Sequence, residues 1–229
     1  MPNELLWVLF ALTNFILFIV MFKLFGKLGI FVWIGMSTIL ANIQVTELLT
    51  LFGLNATLGN IMYGTIFLGT DALNELYGKK EARKAVYMGF LVMVFTLVIM
   101  TIALQFTPSA DDINHPALVS IFGNQFTTIV LGSFIAFIVS QNIDVNLYQW
   151  IRKKLPANKW LWIRNNGSTL ISQLIDTIIF VTIAFVWTYD FGILIEIMIS
   201  TYVIKVMVAA LDTPFIYLVK QIKPMELKG

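Results

Sequence analysis

Seven apolar stretches dominate the sequence, and each is about as long as a membrane-spanning helix. A helix needs roughly 20 apolar residues to cross the hydrocarbon core of a bilayer. The stretches cover approximately residues 5–22, 29–51, 58–78, 85–107, 119–150, 167–189 and 191–219. Only 12% of the 229 residues are charged, whereas a soluble domain carries about 25%. The sequence therefore predicts an all-α integral membrane protein with seven spans.

Composition excludes several kinds of functional site. The chain has no Cys and a single His, His115, which excludes a disulfide framework, a thiol nucleophile and a His-cluster metal site. It also has no glycine-rich loop of the kind that binds nucleotides. We therefore expect no metal, no cofactor and no nucleic-acid partner, while membrane lipid surrounds the apolar helices.

The basic residues predict the orientation of the helices. Fourteen of the fifteen Lys and Arg residues lie in alternate connections, within residues 23–27, 79–84, 152–164 and 220–228. The opposite connections carry acids, namely Glu4, Asp111, Asp112 and Asp190. With seven spans, all fourteen cations lie on one side, which the positive-inside rule makes the cytoplasm. We therefore expect a multi-pass protein of the plasma (inner) membrane, with the N terminus outside and the C terminus in the cytoplasm.

Ionisable side chains inside the apolar stretches indicate a polar site within the bundle. Each ionised group at mid-membrane costs about 2.5–3.5 kcal/mol on insertion scales, so such groups face the protein interior and pair, hold protons or bind a ligand. The candidates are one cation and five acids: Lys205, Glu47, Asp71, Asp144, Asp176 and Asp212. Counting helix rise from the basic connections puts Asp71, Asp144 and Asp212 at one level, with Asp176, Lys205 and Asn42 deeper.

Neutral polar residues extend the candidate site over the second, third, fifth, sixth and seventh stretches. A short pattern, S-Q-x-I-D, occurs twice, at residues 140–144 and again at 172–176. Any one amide or hydroxyl could instead only hydrogen-bond a neighbouring helix, and Lys205 with one Asp could be a structural ion pair. Glu75 and Glu81 are expected to pair with adjacent cations at the membrane interface. The predicted substrate-binding residues are Asn42, Gln44, Thr70, Asp71, Asn74, Gln141, Asp144, Ser168, Thr169, Ser172, Gln173, Asp176, Lys205 and Asp212.

Several motifs resemble the queuosine precursor transporter family, also called the vitamin uptake transporter family. They are FLGTDALNELYGKKEARKAV, SQNIDVNLY, RNNGSTLISQLIDTIIF and YVIKV, and they occur in the family's order within residues 35–220. The resemblance implies a six-helix core that imports 7-deazaguanines, such as 7-cyano- and 7-aminomethyl-7-deazaguanine, for salvage into tRNA modification. This chain has one apolar stretch more than that six-helix core, at its N-terminal side. We therefore expect an extra transmembrane helix (1–27), the transporter core (28–222) and a cytoplasmic tail (223–229).

The chemistry of a deazaguanine suits this set of side chains. Its N1–H and exocyclic amine lie side by side and match one carboxylate, while its carbonyl oxygen needs a donor such as Lys205. A flat ring would stack on an aromatic side chain, for which Tyr63, Phe67, Phe137 and Tyr148 are candidates. The energy source stays open, since buried carboxylates could accept protons or the uptake could be facilitated diffusion.

Two other function classes are considered beside a transporter. The chain could be the substrate-binding subunit of an energy-coupling-factor vitamin transporter, which needs a separate ATPase. Asp144 and Asp176 could form an intramembrane aspartyl protease dyad, but their expected depths differ and the Gly-x-Gly-Asp context is absent, so we expect no enzyme. Gly132 and Ala136 form a small-x-x-x-small pair that could seat a helix of the same chain or of a homodimer.

Overall fold

The computed structural model describes residues 2–123 and 127–225. Long helices account for most of these residues, and a two-stranded hairpin follows the first helix. A short 3-10 turn at Asn158–Trp160 links α5 to α6. The elements are α1 (Asn3–Gln44), β1 (Leu48–Leu51), β2 (Leu54–Thr57), α2 (Asn60–Leu76), α3 (Lys79–Ala103), α4 (His115–Phe122), α5 (Thr127–Lys154), α6 (Leu161–Phe185) and α7 (Phe191–Gln221).

Helix α1 folds back on itself at Gly26. This glycine has φ +56° and ψ −134°, a conformation that side chains with a Cβ rarely adopt. The ring of Phe18, before the break, lies 5.9 Å from that of Trp33, after it. The ring of Trp7 lies 6.1 Å from that of Phe52 in the hairpin, so the start of α1 lies beside the hairpin that follows the end of its second half. The two halves are therefore antiparallel.

The expected second stretch ends earlier than hydropathy suggested. The helix stops at Gln44, and Leu48–Leu51 pairs antiparallel with Leu54–Thr57. Positive φ at both Phe52 and Gly53 makes the two-residue connection, as in the turns that match strand twist. The expected placement of Glu47 inside an apolar helix is therefore wrong, because it lies beyond the helix end and is exposed.

Among the described residues, five helices are long and apolar enough to cross a membrane: α1, α3, α5, α6 together with its preceding 3-10 turn, and α7. This confirms a helical multi-pass membrane protein, while the hairpin is an addition to the all-α expectation. Helix α2 has 17 residues, the lower end of the roughly 17–25 that a span needs. The expected fifth stretch is divided into α4 and α5, which begins at Thr127.

Helix α2 is the centre of the bundle. Fifteen of its 17 residues are buried, and it packs against α1, α3, α5 and α7. Its glycines allow close approach: Gly64 faces Val208 of α7, and Gly69 faces Ile34 of α1. Small residues at such contacts let helix backbones come together inside a membrane. The candidate polar residues of α2 are thereby held at the axis of the bundle.

The two ends of the bundle differ in charge. At one end, here called the basic end, Lys27 pairs with Glu81 at 3.1 Å and Lys220 pairs with Glu75. The backbone N–H of Met225 also donates to the carbonyl of Lys23 at this end. The opposite end, here called the hairpin end, carries β1, β2 and the connection between α6 and α7. The predicted division at residues 27 and 222 stays a prediction, and residues 226–229 lie outside the described part.

Candidate functional site

A cavity of about 440 Å³ extends from the hairpin end into the middle of the bundle. Both halves of the chain contribute to its wall, from the second half of α1, the hairpin and α2 to α5, α6 and α7. Apolar side chains such as Phe180 and Ile197 form much of this wall. Such a mostly apolar cavity with a few polar groups is typical of a site for a small molecule.

Asp176 and Lys205 form a buried ion pair on the wall of this cavity. The Lys205 ammonium donates to Asp176 Oδ2 at 2.5 Å, and the two residues are only 2% and 5% exposed. Asp176 Oδ1 also accepts hydrogen bonds from the Tyr63 hydroxyl at 2.6 Å and from the Ser140 hydroxyl at 2.9 Å. Burying two charges is costly unless further hydrogen bonds satisfy them, and here Tyr63 and Ser140 supply those bonds.

Further polar groups line the cavity near this pair. The Asn60 amide nitrogen lacks a protein acceptor although the residue is buried. Asn42 donates to the Thr38 carbonyl oxygen at 2.8 Å. The cavity thus presents a carboxylate, an ammonium group, two amides and the aromatic ring of Tyr63, whose centroid lies 4.9 Å from the Lys205 nitrogen.

The structure brings three of the predicted site residues together on the cavity wall: Asn42, Asp176 and Lys205. Of the four rings considered for stacking, Tyr63 lines the cavity, Phe67 and Phe137 pack against Tyr63, and Tyr148 points elsewhere. Eleven other predicted site residues do not line it, namely Gln44, Thr70, Asp71, Asn74, Gln141, Asp144, Ser168, Thr169, Ser172, Gln173 and Asp212.

Three of these eleven, Asp71, Asp144 and Asp212, form what we call the carboxyl cluster. It lies between the cavity and the basic end, and all three side chains are buried. The hydroxyl of Ser172 donates to Asp144 at 2.9 Å, and the amide of Asn165 donates to Asp212 at 2.7 Å. Asp71 lies beside Asp144, and Asp212 is near enough to interact electrostatically with both, while the common level of the three acids in the membrane stays a prediction.

The repeated S-Q-x-I-D pattern corresponds to reciprocal bonds between α5 and α6. Ser140 of α5 donates to Asp176 of α6, and Ser172 of α6 donates to Asp144 of α5, each at 2.9 Å. The two helices are antiparallel, so residues four apart on one helix face residues four apart on the other. Asp144 and Asp176 belong to separate hydrogen-bond groups, so they do not form the shared carboxyl pair of an aspartyl protease.

Other predicted site residues connect helices. Thr70 donates to Gln141 at 3.1 Å, and Asn74 receives the Gln149 amide on its side chain and Arg152 on its carbonyl. These bonds tie α2 to α5 on the basic side of the cavity. Gly132 packs against the Phe180 carbonyl of α6, where an added Cβ would approach it to 3.2 Å. The small pair at Gly132 and Ala136 therefore seats a helix of the same chain.

Glu75 has a different role from the one expected. It is buried rather than interfacial, and its partners come from distant helices: Arg152 at 3.7 Å, Arg164 at 2.9 Å and Lys220 at 2.5 Å. The Tyr148 hydroxyl also donates to it at 2.9 Å. Local sequence could not reveal this group because the partners follow 73 to 145 residues later. Glu81, in contrast, is paired with Lys27 and Lys84, as expected.

Asn60 and Glu196 line the cavity and were missed as candidates. A sequence signal existed for Asn60, because Asn60 and Tyr63 lie three residues apart and therefore on one face of α2. Glu196 lies in the second turn of α7 and is exposed. Its position four residues after Gly192 gave no reason to separate it from an ordinary interfacial acid.

Comparison with known proteins places this architecture in a family. The family model described as "Putative vitamin uptake transporter" matches residues 57–219. A protein of Bacillus subtilis (strain 168) named "Probable queuosine precursor transporter" is 47% identical over 224 residues, covering 98% of this chain and 97% of the relative.

More distant relatives carry similar names. "Queuosine precursor transporter" of Escherichia coli (strain K12) is 28% identical over 147 residues, covering 63% of this chain and 62% of the relative. "Probable queuosine precursor transporter" of Haemophilus influenzae (strain ATCC 51907 / DSM 11121 / KW20 / Rd) is 26% identical over 139 residues, covering 61% and 56%. No solved structure matches the chain. The chain therefore belongs to the vitamin uptake transporter family of multi-pass membrane proteins, and it is a transporter rather than an enzyme.

Proposed function

We propose that this protein imports queuosine precursors, 7-deazaguanines such as 7-cyano- and 7-aminomethyl-7-deazaguanine, through the cavity that contains Asp176 and Lys205. The name of the Bacillus subtilis relative supports the substrate class, because its 47% identity extends over almost the whole of both chains. The observation that carries the proposal is the buried Asp176–Lys205 pair on the wall of a cavity large enough for a bicyclic heterocycle.

In this proposal the substrate takes over part of the hydrogen bonding at Asp176. Its N1–H and 2-amino group donate to the carboxylate, and its carbonyl oxygen accepts from Lys205. The ring lies against Tyr63, which already contacts the Lys205 ammonium through its face. The unpaired amide nitrogen of Asn60 offers a further donor to a substituent or a ring nitrogen. The other residues predicted from sequence, including Gln173 and Thr70, then hold the surrounding helices.

The proposed topology has seven spans, with the N terminus outside and the C terminus in the cytoplasm. Two antiparallel halves of α1 account for two spans, and α2, α3, α5, α6 and α7 account for five. This arrangement puts fourteen of the fifteen Lys and Arg residues on the cytoplasmic side of the plasma membrane, as the positive-inside rule requires. The cavity then reaches the external face, from which an imported substrate arrives.

Uptake of radiolabelled 7-cyano-7-deazaguanine by cells that make no precursor of their own tests this function. We expect wild-type protein to confer uptake and Asp176→Asn to reduce it by at least tenfold, since a hydrogen bond to a charged group contributes about 1.5–3 kcal/mol. Asp111→Asn is the matched control, because it makes the same change at an exposed position that does not line the cavity. Equal uptake by wild-type and Asp176→Asn protein, at equal amounts in the membrane, would contradict the proposed site.

A further inference from the structure

The buried acids of the described residues fall into two groups. Glu75 pairs with three cations and Asp176 pairs with Lys205. Asp71, Asp144 and Asp212 are also buried, yet none of them forms an ion pair. An uncompensated carboxylate inside a low-dielectric interior is far too costly to persist, so these groups must hold a proton or bind a cation.

Two oxygen atoms of the carboxyl cluster lack donors. Thr169 approaches Asp71 Oδ2 at 3.4 Å and Ser172 donates to Asp144 Oδ1 at 2.9 Å, while Asp71 Oδ1 and Asp144 Oδ2 have no partner. The Asp71 and Asp144 carboxyl groups lie within hydrogen-bonding reach of each other. Two such groups cannot both be ionised at this separation. A proton shared between them supplies the donor that both free oxygens lack.

Asn165 gives a second, independent indication that the cluster takes up a hydrogen-bond donor. Its side chain is fully buried, and its amide nitrogen donates to Asp212 at 2.7 Å. The other end of the same amide, Asn165 Oδ1, has no donor. The unpaired Asn165 oxygen, held beside the Asp212 carboxyl group, requires a hydrogen-bond donor. A protonated carboxyl group of the cluster, or a molecule that delivers the proton, provides that donor.

Charged groups on every surrounding helix are already committed elsewhere. On α6, Arg164 donates to Glu75 of α2 and to two backbone carbonyls. On α7, Lys205 is bound to Asp176, and Tyr148 of α5 donates to Glu75. In α1, Lys23 and Lys27 lie at the fold-back, and the charged residues of α3 lie in its first two turns, so both sets are at the basic end. No cation of the described chain therefore neutralises the carboxyl cluster.

We propose that Asp71, Asp144 and Asp212 form the proton-binding site that couples import to a proton gradient. The described residues contain no group of three His, Cys, Asp or Glu side chains placed to hold a metal ion. This inference rests on the proposed function, because it assigns an energy source to the same transport cycle. A proton is taken up on the external side and released to the cytoplasm with each cycle, and no covalent bond changes.

The reciprocal bonds of α5 and α6 provide the physical link between the two sites. Ser140 holds Asp176 at the cavity, and Ser172 holds Asp144 in the carboxyl cluster. A movement of one helix along the other changes both bonds together, because each helix carries one serine and one aspartate four residues apart. Occupation of the cavity by substrate thereby alters the protonation of the cluster, and the reverse holds by linkage.

Purified protein in liposomes tests the coupling with radiolabelled 7-cyano-7-deazaguanine, whose substituent carries no charge. We expect wild-type protein to accumulate the label when the exterior is more acidic, up to about tenfold per pH unit for one proton per substrate. Asp144→Asn and Asp71→Asn should lose this accumulation while still exchanging label across the membrane without a gradient. Asp111→Asn, an exposed matched control, should accumulate label like wild-type protein.

Several outcomes would overturn the coupling while leaving the proposed function intact. They are wild-type exchange without any effect of the pH gradient, accumulation driven by a sodium gradient instead, and full accumulation by both cluster variants. A measurement on wild-type protein alone keeps the test valid if the variants do not fold. Addition of unlabelled substrate should acidify the liposome interior, as reported by entrapped pyranine. An unchanged pyranine signal overturns the inference. Failure of wild-type protein to exchange the label at all contradicts the proposed function itself.

Discussion

Single side chains decide most of the electrostatics of this protein, and Glu75 is the clearest example. One carboxylate of α2 binds cations from α5, α6 and α7, so it closes the basic end of the bundle around the central helix. Its partner Arg164 has no exposed side-chain surface at all. Such a group is stable only as a whole, since removal of one member leaves buried charge without compensation.

We predict that Glu75→Gln destabilises the protein by about 2–4 kcal/mol. Breaking a buried ion pair costs about 3–5 kcal/mol, and the value is reduced here because Lys220 and Arg152 keep about one third of their side-chain surface in contact with solvent. Thermal unfolding in detergent should therefore begin several degrees lower. Glu81→Gln is the matched control: its partners Lys27 and Lys84 are exposed, and exposed pairs contribute little to stability.

Some of the buried ionisable residues were predictable from the sequence, and the surroundings of others were not. Asp176 and Lys205 were predicted as site residues because ionisable groups are costly in an apolar stretch, and that cost is visible without a structure. Glu47 looked similar but lies outside the helix, since hydropathy does not report where a chain turns into a hairpin. Whether an acid such as Asp144 faces the cavity or a neighbouring helix depends on packing between distant segments, which no local pattern contains.

Among the helices, α2 carries the tightest packing. Gly64 lies so close to Val208 that an added Cβ would overlap the valine side chain. We predict that Gly64→Ala separates α2 from α7 and costs about 1–3 kcal/mol, the usual range for overpacking. Because α7 carries Lys205 and α2 carries Tyr63, substrate affinity should fall together with thermal stability.

A second glycine provides the control for this prediction. Gly192, at the start of α7, has no atom within 4 Å of the position of an added Cβ. Gly192→Ala should therefore leave both the unfolding temperature and the substrate affinity close to the wild-type values. Equal behaviour of the two alanine variants would contradict the packing role of Gly64.

Helix identities were predictable and helix ends were not. The apolar stretches from α2 onwards correspond to helices because about 20 apolar residues in sequence can satisfy their backbone in a membrane only as a helix. A break between the first two stretches was also predicted, since Lys23 and Lys27 separate them, and the structure has it at Gly26. The hairpin at residues 48–57 was missed, because its leucines are as apolar as those of the helix before it.

At the scale of the whole molecule, the cavity reaches one face while the opposite face is closed by the Glu75 ion pairs. The natural absence of Cys makes this asymmetry directly measurable with single cysteines. We predict that Ser133→Cys, in the cavity wall, reacts with a membrane-impermeant maleimide added to intact cells, and that substrate slows the reaction.

A cysteine at the basic end completes that experiment. Lys153→Cys, at the exposed end of α5, should react in inverted vesicles and not in intact cells. Labelling of both positions from the same side would contradict the proposed orientation and the seven spans from which it follows.

The central claim is that the Asp176 carboxylate recognises the amino edge of a deazaguanine, and a double comparison of affinities tests it most directly. Binding of 7-cyano-7-deazaguanine and of the analogue without the 2-amino group is measured for wild-type and Asp176→Asn protein. We predict that wild-type protein binds the complete ligand at least tenfold more tightly than the analogue, through a charge-assisted hydrogen bond, and that Asp176→Asn binds both weakly and equally. An undiminished preference for the complete ligand in Asp176→Asn would contradict the account.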